Sequence, residues 1–105
     1  MIKNVLEKEI EAYLRDQVKK LGGLCLKFVS PGFTGVPDRL IMIKPKIFFY
    51  VELKKKNKEL SPRQLFVKKQ FKKLGFEVYR VDSKKEVKKI INEIRRKALP
   101  SIHNK

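Results

Sequence analysis

Hydrophobic positions recur along this chain with two periods, one helical and one extended. Leu6, Ile10, Tyr13, Leu14, Gln17, Val18 and Leu21 repeat at three- and four-residue spacing, which predicts an amphipathic helix over residues 4–21 with one buried face. Asn4, with Glu7 three residues on, can cap its start, and Gly22-Gly23 can end it through a left-handed turn. A short strand is predicted over residues 24–29, then a loop punctuated by Ser30-Pro31-Gly32 and Gly35-Val36-Pro37. Residues 38–43 and 47–54 read as two further strands, the second rich in aromatic and β-branched side chains. The very short link at Lys44-Pro45-Lys46 makes them an antiparallel hairpin. Near-continuous apolarity in 47–54 predicts burial on both faces, hence helices on both sides of the sheet.

The second half repeats the alternation. Ser61-Pro62-Arg63-Gln64 combines a capping box with proline at the first helical position. The helix it opens should bury Leu65, Val67, Phe71 and Leu74 and stop at Gly75. A fourth strand is predicted over 76–81. Ser83 and Glu86 form a second capping box, ahead of a helix that buries Val87, Ile90, Ile91, Ile94 and Ala98 and ends at Pro100. The order αβββαβα describes an α/β domain with a central mixed four-stranded sheet flanked by helices. At 105 residues there is room for one domain, expected over 1–99, with 100–105 as a flexible tail.

Charge changes the picture. Lys and Arg number 27 against 11 Asp and Glu, a formal net charge of +16. Residues 1–45 carry +3 of it and residues 46–105 carry +13. Basic surfaces of this density most often meet phosphates, because neutralising them releases counterions, so nucleic acid is the expected partner. A solubilising lysine coat is the plainer alternative. The chain is 42% hydrophobic, too apolar for a disordered polycation, and no apolar run approaches the ~20 residues that span a bilayer. Glu7, Glu9, Glu11 and Asp16 near the start argue against a secretory or transit peptide, and one cysteine, Cys25, fits a reducing compartment. A cytoplasmic protein acting without a membrane is the expectation.

Two acids lack an easy structural role. Asp38 opens an apolar strand after Pro37, and Glu52 interrupts the most hydrophobic segment, between Val51 and Leu53. A carboxylate in a buried strand is costly unless paired. Both lie about equally far from the hairpin turn, so they fall near one sheet end and can face each other across the pair. Two converging carboxylates suit a shared hard cation such as Mg²⁺. Lys54, two residues after Glu52, falls on the same strand face and can orient a water or neutralise charge on a phosphodiester. The competing explanation is a plain salt bridge of Glu52 with Lys54 or a neighbour.

Gly35-Val36-Pro37-Asp38-Arg39, then Val51-Glu52-Leu53-Lys54, then Leu60-Ser61-Pro62-Arg63-Gln64 resembles the PD-(D/E)XK nuclease superfamily. More narrowly the chain resembles the VRR-NUC (virus-type replication-repair nuclease) domain of stand-alone phage and bacterial proteins, over nearly its whole length up to Ser83. The resemblance implies a restriction-endonuclease-like fold, with Asp38 and Glu52 as metal-binding acids, the Leu53 backbone carbonyl completing the coordination, and Lys54 as the catalytic lysine. It makes Gln64 a site residue, and Glu7 the matching acid on the first helix, with Glu11 as its rival one turn later. It further implies Mg²⁺ or Mn²⁺ as cofactor and endonucleolytic cleavage of DNA. Structure-selective cutting of Holliday-junction-like or other branched DNA in phage or bacterial replication, recombination or repair, by a homodimer, is the corresponding expectation.

Other candidates divide between two roles. Lys27 can reach a phosphate or snorkel to solvent. Arg39 can contact DNA or pair with an acid. Lys55, Lys56 and Lys58 form a basic loop leaving the site, either a phosphate track or a solvated run. Lys68, Lys69, Lys72 and Lys73 read as a generic coat, Cys25 as a small core residue, and His103 as an inert tail residue. The alternative to the nuclease is a non-catalytic basic nucleic-acid-binding module, which explains the charge and leaves Glu52 without a reason.

Overall fold

The computed structural model describes the backbone of residues 2–103 and the side chains of residues 7–97. The element order is α1 (Ile2–Lys20), β1 (Leu24–Lys27), β2 (Arg39–Ile43), β3 (Ile47–Leu53), α2 (Pro62–Lys73), β4 (Glu77–Val81) and α3 (Lys84–His103). One four-stranded sheet runs β1-β2-β3-β4; the first two pairings are antiparallel and β3-β4 is parallel. The expected αβββαβα order and mixed sheet are what the chain forms. Among the described residues no helix is long and apolar enough to cross a membrane.

Side chains alternate across β3, and each face has its own cover. Phe49 and Val51 join Ile41, Ile43 and Val81 beneath Ile10, Leu14 and Val18 of α1 and Val87, Ile90, Ile91 and Ile94 of α3. On the other face Tyr50 stacks against Phe71 of α2 with ring centroids 4.8 Å apart, and Phe48 meets Tyr50 edge-on at 5.2 Å. Gly23 lets the α1–β1 turn close onto the sheet: a Cβ there would lie against the Met42 carbonyl and the Ile43 side chain.

Several sequence expectations need correction. Helix α1 begins at Ile2, two residues before the expected Asn4 cap; the side chains of Asn4, Leu6 and Ala98 lie outside the described residues. The first strand ends at Lys27 instead of reaching 29. Leu65 and Leu74 of α2 are 45% and 73% exposed. The buried stripe is Gln64, Val67 and Phe71, one residue out of phase with Leu65, because α2 packs over the β3–β4 half of the sheet. Ser83 Oγ accepts the Glu86 N–H at 3.2 Å, but the Glu86 carboxylate reaches back to the Asp82 N–H at 2.7 Å instead of closing a box on Ser83. Helix α3 passes through Pro100 to His103, so the expected stop fails. A proline in the last turn forfeits one hydrogen bond to the preceding turn, and only three helical residues follow it.

Candidate metal and phosphodiester site

Register builds the centre of the site. Arg39 pairs with Val51 across β2–β3, so Asp38, one residue earlier, stands opposite Glu52, one residue later. The Asp38 backbone is pinned: its carbonyl accepts from the Phe28 N–H at 2.7 Å and from Arg39 Nη1 at 3.0 Å. Its carboxylate is pinned as well, with Oδ2 accepting the Leu53 N–H at 2.9 Å.

Glu52 is only 5% exposed and makes no ion pair among the described residues. Its one side-chain hydrogen-bond partner among the described residues is Gln64, whose Nε2 donates to Oε2 at 2.8 Å. The capping box aims that donor. Gln64 Oε1 accepts the Ser61 N–H at 2.9 Å while Ser61 Oγ accepts the Gln64 N–H at 3.1 Å, and this leaves the amide NH₂ turned to Glu52. Burial pushes the Glu52 pKa up to about 7, and the Asp38 charge adds to the rise; the Lys54 ammonium and the Asp38 backbone N–H oppose it.

Two clefts meet at Glu7. The smaller, about 400 Å³, is lined by Asp38 and Leu53 together with Glu7, Glu11, Lys27 and Arg39. The larger, about 730 Å³, is walled by Lys54 and the basic loop of Lys55, Lys56 and Lys58, and by Asp82, Ser83 and Lys84 at the start of α3. Glu52 lines neither. Lys54 is held by its backbone, whose N–H donates to the Val81 carbonyl at 2.9 Å.

The two helix acids differ in their engagement. Glu11 is paired, with Oε1 2.8 Å from Arg15 Nη1 and Oε2 3.3 Å from Arg39 Nε. Glu7 borders both clefts and makes no ion pair among the described residues. Arg39 is therefore committed on two sides, to Glu11 and to the Asp38 carbonyl, and braces α1 against the strand that carries Asp38. Lys27, opposite Arg39 in the β1–β2 register, remains exposed at the rim.

Among the described residues no three His, Cys, Asp or Glu side chains gather into a metal cage. Mg²⁺ does not require one: it is commonly held by one or two carboxylates, waters and substrate phosphates. Two opposed acids, one with its pKa raised to about 7 by burial and by the other's charge, are a hard-oxygen donor set that a divalent ion would suit, since its charge favours the ionised form of both.

Sequence reasoning missed Arg80. It stands opposite Glu52 in the β3–β4 register, yet its Nε and Nη2 donate to the Lys58 carbonyl and its Nη1 to Asp82 Oδ2 at 3.0 Å. An available guanidinium is thus held away from Glu52 by a loop carbonyl and another acid. No sequence spacing foretells this, because the Lys58 carbonyl arrives through the fold of the loop.

No protein-family model matches the chain. The "Putative nuclease p44" of Acyrthosiphon pisum secondary endosymbiont phage 1 is 39% identical over 79 residues, covering 75% of this chain and 85% of that protein. A solved structure of a VRR-NUC domain superposes with a TM-score of 0.78 at 33% identity, covering 82% of this chain and 94% of the other. With relatives this similar over most of its length, and with an acid pair at the hairpin end, the chain belongs to the VRR-NUC nuclease family.

Proposed function

We propose that this nuclease is a Mg²⁺- or Mn²⁺-dependent DNA endonuclease with its site at the β2–β3 hairpin end. The observation that carries the reading is a buried Glu52 opposite Asp38 that, among the described residues, makes no ion pair and feels the Lys54 charge, although Arg80 is within register reach. A structural salt bridge would use that arginine. Asp38, Glu52 and the Leu53 carbonyl would hold the ion. When bound, it supplies Lewis acidity that acidifies water and offsets charge on the phosphodiester.

The chain's own residues do the rest. The Leu53 N–H fixes the Asp38 carboxylate, and Gln64 fixes that of Glu52, so neither acid has to reorganise when substrate arrives. Lys54 orients the attacking water or neutralises the phosphate oxygens as the water oxygen bonds to phosphorus and the leaving sugar oxygen departs with a proton. Glu7, which makes no ion pair among the described residues, closes the site from α1. Lys27, Lys55, Lys56 and Lys58 extend a phosphate track along the two clefts, while Arg39 acts by bracing. The site acts in the cytoplasm of a bacterium or a phage-infected host.

Branched DNA as the preferred substrate follows from charge without base-reading elements: recognition by shape is what remains. A homodimer places two such sites on opposite strands. Leu24, Leu26 and Met42, 56%, 40% and 36% exposed on the sheet face that α2 leaves uncovered, offer an uncharged patch to a second copy. Light scattering showing only monomer at working concentration contradicts the dimer.

The direct test is cleavage of labelled four-way junction, flap, splayed and linear duplexes in Mg²⁺, Mn²⁺ or EDTA, by wild type and Glu52→Ala. Metal-dependent cutting by wild type alone is expected, strongest on branched DNA. Binding without cutting in every metal points instead to a basic binding module.

A further inference from the structure

The loop entering Asp38 and the first turn of α2 build a second feature beside the site. Gly35 has φ +87°, and a Cβ there would lie 2.7 Å from Arg63 Cγ and 3.1 Å from Val67 Cγ2, so glycine lets the loop press onto the helix. Arg63 Nε then donates to the Thr34 carbonyl at 2.9 Å. Fixed in this way, the guanidinium carbon lies 4.8 Å from the Phe33 ring centroid and 5.3 Å from that of Phe66. Phe33 and Phe66 are 39% and 50% exposed. Arg63 Nη1 and Nη2 have no hydrogen-bond partner among the described residues.

One exposed phenylalanine is ordinary. Two rings organised about one anchored guanidinium, in a chain of charge +16, make a built surface. We propose that Phe33, Arg63 and Phe66 form a stacking platform for an unpaired nucleobase next to the cleavage site. Flat aromatic and guanidinium faces accept any base, and the two outward nitrogens of Arg63 are placed to take a neighbouring phosphate. Phe33 precedes Asp38 by five residues, at most ~18 Å between Cα atoms. Arg63 precedes Gln64, the partner of Glu52. A base on the platform therefore lies within a few nucleotides of the phosphate at the acids. The platform selects DNA with unpaired nucleotides at the cut, such as splayed arms and flaps, over intact duplex, and it rests on the reading of the chain as a DNA-acting enzyme.

Fluorescence anisotropy in EDTA tests it without cleavage, using a blunt duplex, a splayed-arm duplex, and the same arm with abasic spacers. Wild type is expected to bind the base-bearing arm about tenfold more tightly than the abasic arm, the scale of one stacked base. Phe33→Leu/Phe66→Leu should lose that preference with duplex affinity unchanged, and Phe33→Tyr/Phe66→Tyr should keep it. Equal binding of base-bearing and abasic arms by wild type overturns the platform, as does a leucine variant that keeps the preference or weakens on all three DNAs alike. A wild type that cuts DNA yet ignores the bases removes the platform alone; one that binds the bases and never cuts removes the nuclease alone. Failure to bind any DNA removes both.

Discussion

Glu52 and Asp82 sit one strand apart, near the same end of the sheet, and have opposite electrostatic fates. Burial works against the ionisation of Asp82, yet hydrogen bonding with Glu86 and Arg80, and the Arg80 charge, hold its pKa below the ordinary carboxylate value. Glu52, buried and opposed by the Asp38 charge, is driven up to about 7, and its side-chain partner is the neutral amide of Gln64. Arg80 lies between the two acids and is spent on Asp82. Asp82 is thus a finished structural contact that ties β4 to the start of α3, whereas Glu52 keeps an unmet demand for positive charge. An acid that a fold leaves in this state costs stability, and that cost makes sense where a cation from outside completes the site.

Exchanging each acid for its amide separates the two roles most sharply. Asp38→Asn keeps the shape and removes charge, and should lower the cleavage rate by about a thousandfold or more, the scale of a lost electrostatic group in a water-poor site. Asp82→Asn should leave cleavage within about threefold and cost about 1 kcal/mol of stability, as expected for a partly exposed ion pair. Single-turnover cleavage and thermal melts read both. Comparable loss of cleavage in the two variants would erase the distinction.

The next largest effect is on stability in EDTA. A carboxyl whose folded pKa of about 7 exceeds its unfolded value near 4.5 binds more protons when folded between those pH values, so its contribution to stability falls as pH rises from about 4.5 to 7. The whole span corresponds to at most about 3–4 kcal/mol. Wild type should therefore lose stability across this window relative to Glu52→Gln, and the difference should vanish below pH 4. A wild type that gains on the variant with rising pH would place a cation beside Glu52.

Smaller still is Gln64→Ala, which removes a cap acceptor and leaves Glu52 Oε2 without its donor. A loss of about 1–2 kcal/mol is expected in chemical denaturation. Gln64→Glu should retain the cap acceptor and lose more, because it brings a third acid to the pair.

Much of this was legible in the sequence because it depends on local spacing. The stripes of α1 and α3, the Ser61–Gln64 box and the short hairpin link each follow from nearest-neighbour chemistry, and the link alone sets Asp38 opposite Glu52. What was not legible depends on where elements stop covering one another. Leu65 and Leu74 continue an apolar pattern but meet no partner, since α2 spans only half the sheet. Glu86 and Arg80 choose Asp82 and the Lys58 carbonyl through tertiary placement. Arg63 reads as a helix-start residue until Gly35 brings Phe33 and the Thr34 carbonyl against it.

The central claim is that Asp38 and Glu52 form a divalent-ion site, and Mn²⁺ titration followed by electron paramagnetic resonance tests it most directly. Wild type should bind one Mn²⁺ per chain above the background set by its surface acids. Asp38→Asn and Glu52→Gln should each weaken that site by at least about tenfold, and Asp82→Asn should leave it unchanged. Mn²⁺ binding that is the same in wild type, Asp38→Asn and Glu52→Gln would contradict the account.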